Sequence, residues 1–104
     1  MAAANKKSYR KAAAIRFGEN LVLWRRRGAM SQDELALRAE LNRSEISKLE
    51  HGQRVPRIDT LIKLAFSLDA LPGDLLDGLA WVPAHRQPGG QFIARSRGLE
   101  PGDG

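Results

Sequence analysis

The 104-residue chain has no cysteine, which excludes disulfides, cysteine-ligated zinc, iron–sulfur clusters and a thiol nucleophile. It also has no run of 18 or more apolar residues, so no transmembrane helix is available. After the basic N-terminal residues only Ala12–Ile15 is continuously apolar, too short for a signal-peptide core. Histidine is scarce: His51 and His85 alone do not argue for a metal centre or acid–base chemistry. No Ser/His/Asp set, phosphate-cradling glycine loop or HExxH pattern occurs. Several carboxylates serve as helix caps, with Glu34 and Glu45 the clearest cases, and no catalytic pair remains. An enzyme and a bound cofactor are therefore not expected. What is present is 42% hydrophobic and 28% charged residues, the make-up of one small globular domain with tails.

The net charge of +5 is unevenly spread. Residues 1–16 hold five basic residues (Lys6, Lys7, Arg10, Lys11, Arg16) and no acid, whereas residues 17–82 hold nine basic against ten acidic. The basic excess therefore belongs to an arm. Within the middle, residues 25–57 carry eight basic and five acidic residues, and residues 58–82 carry one and four. A dipolar domain with a basic arm suits a polyanion, either nucleic acid or an anionic membrane surface. A tail that only supports solubility is the plain alternative.

Apolar spacing predicts an all-α domain of five short helices over 13–82. A flexible basic arm (1–12) precedes it and a flexible Gly/Pro-rich tail (83–104) follows. In that tail Gln91–Ala94 could pair as an edge strand or dock on the core. The first helix is expected from about Lys11 to Arg27, with Phe17, Leu21 and Trp24 inward and Gly28 as its stop. Ser31-Gln32-Asp33-Glu34 is a capping box that opens the second helix, which carries Leu35, Ala36 and Ala39. Asn42 caps the third helix, which Gly52 ends. A fourth helix over Ile58–Leu68 should bury Ile58, Leu61, Ala65 and Leu68, and Pro72 should open a fifth with Leu75, Leu76 and Leu79.

On the third helix Arg43, Ser44, Ser47, Lys48 and His51 fall within one arc, opposite Ile46 and Leu49. Such an arc is usually an ordinary solvent face. It can equally enter a major groove, where Arg or Lys reads guanine and Ser can donate or accept.

Several spaced motifs decide between these readings. Ser31-Gln32-x-x-Leu35-Ala36, then Ile46-Ser47-x-x-Glu50-x-Gly52, then Pro56-x-x-x-Thr60-Leu61-x-Lys63-Leu64-Ala65 together resemble the Cro/phage-repressor (XRE-type) helix-turn-helix family over about Phe17–Leu79. The resemblance implies a five-helix DNA-binding domain that acts as a homodimer on duplex DNA, as a cytoplasmic, nucleoid-associated transcriptional regulator and most simply a repressor. It assigns base reading to Arg43, Ser44 and Lys48, with Ser47 in second rank. It assigns phosphate contact to Gln32, Asn42, Gln53, Arg54 and Arg57, and a structural ion pair to Arg25 and Glu50. An antitoxin that also binds a protein partner through the tails, or an interaction module without DNA binding, is the alternative.

The chain also departs from the family pattern. Glu40 and Asp69 stand where left-handed glycine is usual, and Val22 and Leu23 make the first helix apolar on two sides. That strip is either a greasy surface or a docking strip for the Trp81/Phe92 tail or a second subunit.

Overall fold

The structure, a computed structural model, describes residues 6–84 and 89–95. Residues 1–5 of the expected arm, and 85–88 with His85 and 96–104 of the expected tail, lie outside the described residues. Five helices follow in order: α1 (Lys6–Arg27), α2 (Gln32–Ala39), α3 (Arg43–Glu50), α4 (Ile58–Ser67) and α5 (Pro72–Leu75). Two short strands, β1 (Leu79–Val82) and β2 (Gln91–Ala94), pair antiparallel with Leu79 opposite Ala94 and Trp81 opposite Phe92. The architecture is five-helix and repressor-like, with a small strand ribbon at its C-terminal end.

Local sequence explains where the helices start. Ser31 accepts from the Glu34 amide at 3.0 Å while Glu34 accepts from the Ser31 amide at 2.8 Å, so two orphan donors at the start of α2 are satisfied. Asn42 does the same for α3, accepting from the Glu45 amide at 2.9 Å. Between them Glu40 adopts the left-handed conformation (φ 57°) that glycine takes more cheaply, and the next amide, Leu41, returns to the Ala36 carbonyl. Asp69 (φ 57°) turns the chain after α4 in the same way. After α1 it is Ala29 (φ 55°), one residue past Gly28, that takes this conformation.

The core gathers Phe17 and Leu21 from α1, Leu35, Ala36 and Ala39 from α2, Ile46 and Leu49 from α3, Leu64, Ala65 and Leu68 from α4 and its end, and Leu75 from α5. Trp24 packs against its edge, half-buried, with the Arg27 guanidinium 5.1 Å over its ring. α1 is central: it packs against α3, α5 and the β2 strand. Partners on several sides explain why its apolar residues run around it, Val22 and Leu23 being half-buried.

Two contacts of α1 are made by atoms that hydrophobic patterning ignores. Gly18 sits against the end of α3, where a Cβ would lie 2.6 Å from the Leu49 carbonyl oxygen and 2.7 Å from that of Glu50. Asn20 is fully buried and donates from Nδ2 to the carbonyls of Leu75 and Asp77, both at 2.9 Å. The Leu75 carbonyl ends α5 and that of Asp77 lies just beyond it, where no further turn of helix supplies donors, so a side-chain amide completes the end of α5.

Three expectations need correction. α1 begins at Lys6, earlier than Lys11. Ile58 is 76% exposed, because α4 turns Leu64, Ala65 and Leu68 inward and leaves Ile58, Ile62 and Phe66 on the opposite face. The fifth helix stops at Leu75, so Leu76 is exposed and Leu79 opens a strand after Gly78 (φ 85°). Trp81 lies on that strand, half-exposed, with its ring edge-on to Phe92 at 5.0 Å.

Candidate nucleic-acid interface

The eight residues of α3 span roughly 12 Å at 1.5 Å per residue, about the width of a major groove. Ile46 and Leu49 are fully buried and fix which side faces out. Arg43, Ser44 and Lys48 are exposed on the outer side, and Ser47 is half-buried at its margin. His51 folds back on the helix end, its Nδ1 2.7 Å from the Ser47 carbonyl, with the proton on that nitrogen as the donor.

The N-terminal end of α3 carries Asn42, whose Oδ1 also accepts from the Ser44 hydroxyl at 2.8 Å. Gln53 and Arg54 follow the helix in an exposed turn, and Arg57 precedes α4, also exposed. The structure thus collects Arg43, Ser44, Ser47, Lys48 and Asn42 on one short helix and its cap, with Gln53 and Arg54 just beyond its end.

Beneath this surface lies a polar anchor. Glu50 accepts from Arg25 Nε at 2.5 Å and Arg25 Nη2 at 3.0 Å, and from Gln32 Nε2 at 2.9 Å. Arg25 Nη1 donates onward to the Met30 carbonyl at 2.9 Å. The Arg25 and Glu50 side chains are 14% and 5% exposed, and the carboxylate is bonded from three sides. The hydrogen bond to Glu50 raises the Arg25 pKa above its ordinary value, against the opposing effect of burial. One cluster therefore ties the C-terminus of α1, the N-terminus of α2 and the C-terminus of α3. Gln32 is consequently engaged inward through its amide nitrogen.

Three exposed basic side chains meet carboxylates of the same domain. Arg43 Nε lies 3.6 Å from Asp33 Oδ1, Arg54 Nη1 lies 3.2 Å from Glu45 Oε1, and Arg57 Nε lies 3.4 Å from Asp59 Oδ1. Sequence patterning gives Glu45 only a capping role and Asp33 no role of its own. The partners stand ten and nine positions away across turns, where helical spacing carries no signal. No group of three or more His, Cys, Asp or Glu that could hold a metal occurs among the described residues. No helix among them is long and apolar enough to cross a membrane.

Two helices joined by a turn, the second with its polar arc outward and its base anchored, define a helix-turn-helix DNA-binding domain. A helix-turn-helix domain family model matches residues 18–79. The chain belongs to the Cro/phage-repressor (XRE-type) helix-turn-helix family of DNA-binding transcriptional regulators. It is 42% identical over 48 residues to the control protein C.BamHI of Bacillus amyloliquefaciens, covering 46% of this chain and 59% of that protein's length. It is similar in structure to the restriction-modification controller protein C.AhdI of Aeromonas hydrophila, with 35% identity and a TM-score of 0.58 over 60% of this chain and 94% of that one. The P22 c2 repressor, solved in complex with a synthetic operator, matches with 26% identity and a TM-score of 0.56, over 60% of this chain and 94% of that one.

Proposed function

We propose that the chain is a sequence-specific regulator that binds duplex DNA as a homodimer and represses transcription where its site overlaps a promoter. The observation that carries this reading is the arc of exposed Arg43, Ser44 and Lys48, with half-buried Ser47 at its margin, on a helix anchored from behind by Glu50. Arg43, Ser44 and Lys48 read base edges, with Ser47 reaching the nearest group from its shorter side chain. Asn42, Gln53, Arg54 and Arg57 meet the phosphates on either side, and Gln32 supports the helix while its backbone end faces the strand.

The dimer is supported by α4. Ile58, Ile62 and Phe66 recur every four residues and are 76%, 53% and 84% exposed, an apolar stripe that a second copy can cover. Antiparallel packing about a two-fold axis near Ile62 sets Ile58 against the partner's Phe66.

Selection from a random duplex library tests the reading. A pseudo-palindrome with half-sites about 10 base pairs apart is expected, or a multiple of that spacing. Arg43→Ala and Lys48→Ala should each relax preference at particular base pairs by ~1–3 kcal/mol. Retained preference in both variants sinks the recognition-helix assignment. Ile62→Asp should yield a monomer in sedimentation and weaken binding to the full site. Because C.AhdI is a restriction-modification controller, promoters of a neighbouring restriction-modification operon are the first sequences to test. Tight capture of a protein partner with no salt-sensitive DNA affinity would favour an interaction module.

A further inference from the structure

Two of the three arginine–carboxylate pairs on the outer surface, those of Arg43 and Arg57, engage the guanidinium at Nε, and the third, that of Arg54, at a terminal nitrogen; only Arg43 lies on α3. Asp33, at the second position of α2, approaches Arg43 at Nε, and Arg43 is the first residue of α3. Both side chains are largely exposed, 77% for Asp33 and 65% for Arg43. An exposed pair of this kind adds little to stability. It does bias the direction in which the guanidinium points. A guanidinium presents its five N–H groups as a planar fork. With a carboxylate on the Nε side, the two terminal nitrogens remain free and parallel, and that is the edge that can take guanine O6 and N7 together.

From this geometry we propose that Asp33 is a specificity-determining residue: it orients Arg43 end-on toward one guanine in each half-site. The inference rests on the DNA-reading function above and deepens it by naming the base. A second consequence follows from charge. Where no guanine is presented, Arg43 would otherwise swing to a phosphate, and the Asp33 carboxylate both competes for it and repels the phosphate. Asp33 therefore lowers affinity for non-target DNA more than affinity for the target. Asp59 supplies the internal contrast. It pairs with Arg57, outside α3, so its charge should act on every sequence alike.

The test is base-pair-resolved selection on random duplexes with the full chain and the variants Arg43→Ala, Asp33→Ala, Asp33→Asn, Asp33→Glu and Asp59→Asn, each checked for an unchanged melting temperature. Arg43→Ala should relax one guanine in each half-site. Asp33→Ala and Asp33→Asn should relax the same guanine by roughly three- to tenfold and tighten binding to unrelated DNA. Asp33→Glu should restore part of the preference, and adding Asp33→Ala to Arg43→Ala should relax it no further. Asp59→Asn should shift all sequences together. If Arg43→Ala relaxes a guanine while the Asp33 variants leave it intact, or relax a different base pair, the role of Asp33 is overturned and the DNA-reading assignment stands. If the parent chain selects no sequence, both fall.

Discussion

Arg25 and Arg43 carry the same side chain, both meet a carboxylate, and the two pairs do opposite work. Around Arg25 every partner is inside the fold: Glu50 is 5% exposed and takes three hydrogen bonds, and the remaining guanidinium edge reaches a backbone carbonyl. Around Arg43 both partners are in water and the separation is 3.6 Å. Losing one partner inside leaves a mostly buried charge without its counter-ion, whereas losing one outside merely returns the other to solvent. Burial separates the arginine that holds α3 in place from the arginine that α3 leaves in solvent.

The largest expected effect breaks the inner pair. Glu50→Ala should cost about 3 kcal/mol in urea unfolding, because Arg25 and Gln32 lose their shared acceptor together. Lysine at the same place sharpens the point. Arg25→Lys keeps the charge but not the fork, and should cost about 1–2 kcal/mol through the lost bonds to Glu50 and Met30. The outer pair should behave differently: Arg43→Ala should change stability by less than about 1 kcal/mol while discrimination at its base pair falls. Smallest of all, Arg57→Ala should leave fold and preference intact and reduce the salt dependence of binding by about one unit of slope. A loss of stability from Arg43→Ala as large as that from Glu50→Ala would erase the distinction. Acidity adds a further check on the inner pair. The Arg25 pKa is raised, so its contribution is fully present below the ordinary arginine value and is lost only as pH rises through the higher one. The arginine itself therefore adds no pH dependence to stability near neutrality.

The parts of the molecule readable from sequence are those with local causes. Ser31, Glu34 and Asn42 announce two helix starts by side chains that satisfy backbone donors a few residues away. Ile46 and Leu49 orient α3 because its other side holds no large apolar residue. The reading fails on α4 because that helix is apolar on two faces, and periodicity cannot say which one the core takes. Leu64, Ala65 and Leu68 go in, and Ile58 stays out. The β1 segment is not legible because Leu79-Ala80-Trp81-Val82 is stabilised by pairing with residues nine to fifteen positions on, whereas Gln91–Ala94 stands out between helix breakers. Asn20 gave no sign of its role, since a polar residue on an apolar face looks like an interruption until its two carbonyl partners are located. The pairs on the outer surface required the turn geometry itself.

Gly18 carries a consequence for how such a domain can change over generations. Where α1 crosses the end of α3, the spacing is set by main chain against main chain, with no side chain between them. The residues of the outer arc take no part in that contact, so substitutions among them leave this seat of α3 as it is. Under the proposed function, exchange at Arg43, Ser44, Ser47 or Lys48 would change the operator while glycine at position 18 keeps the two main chains in contact.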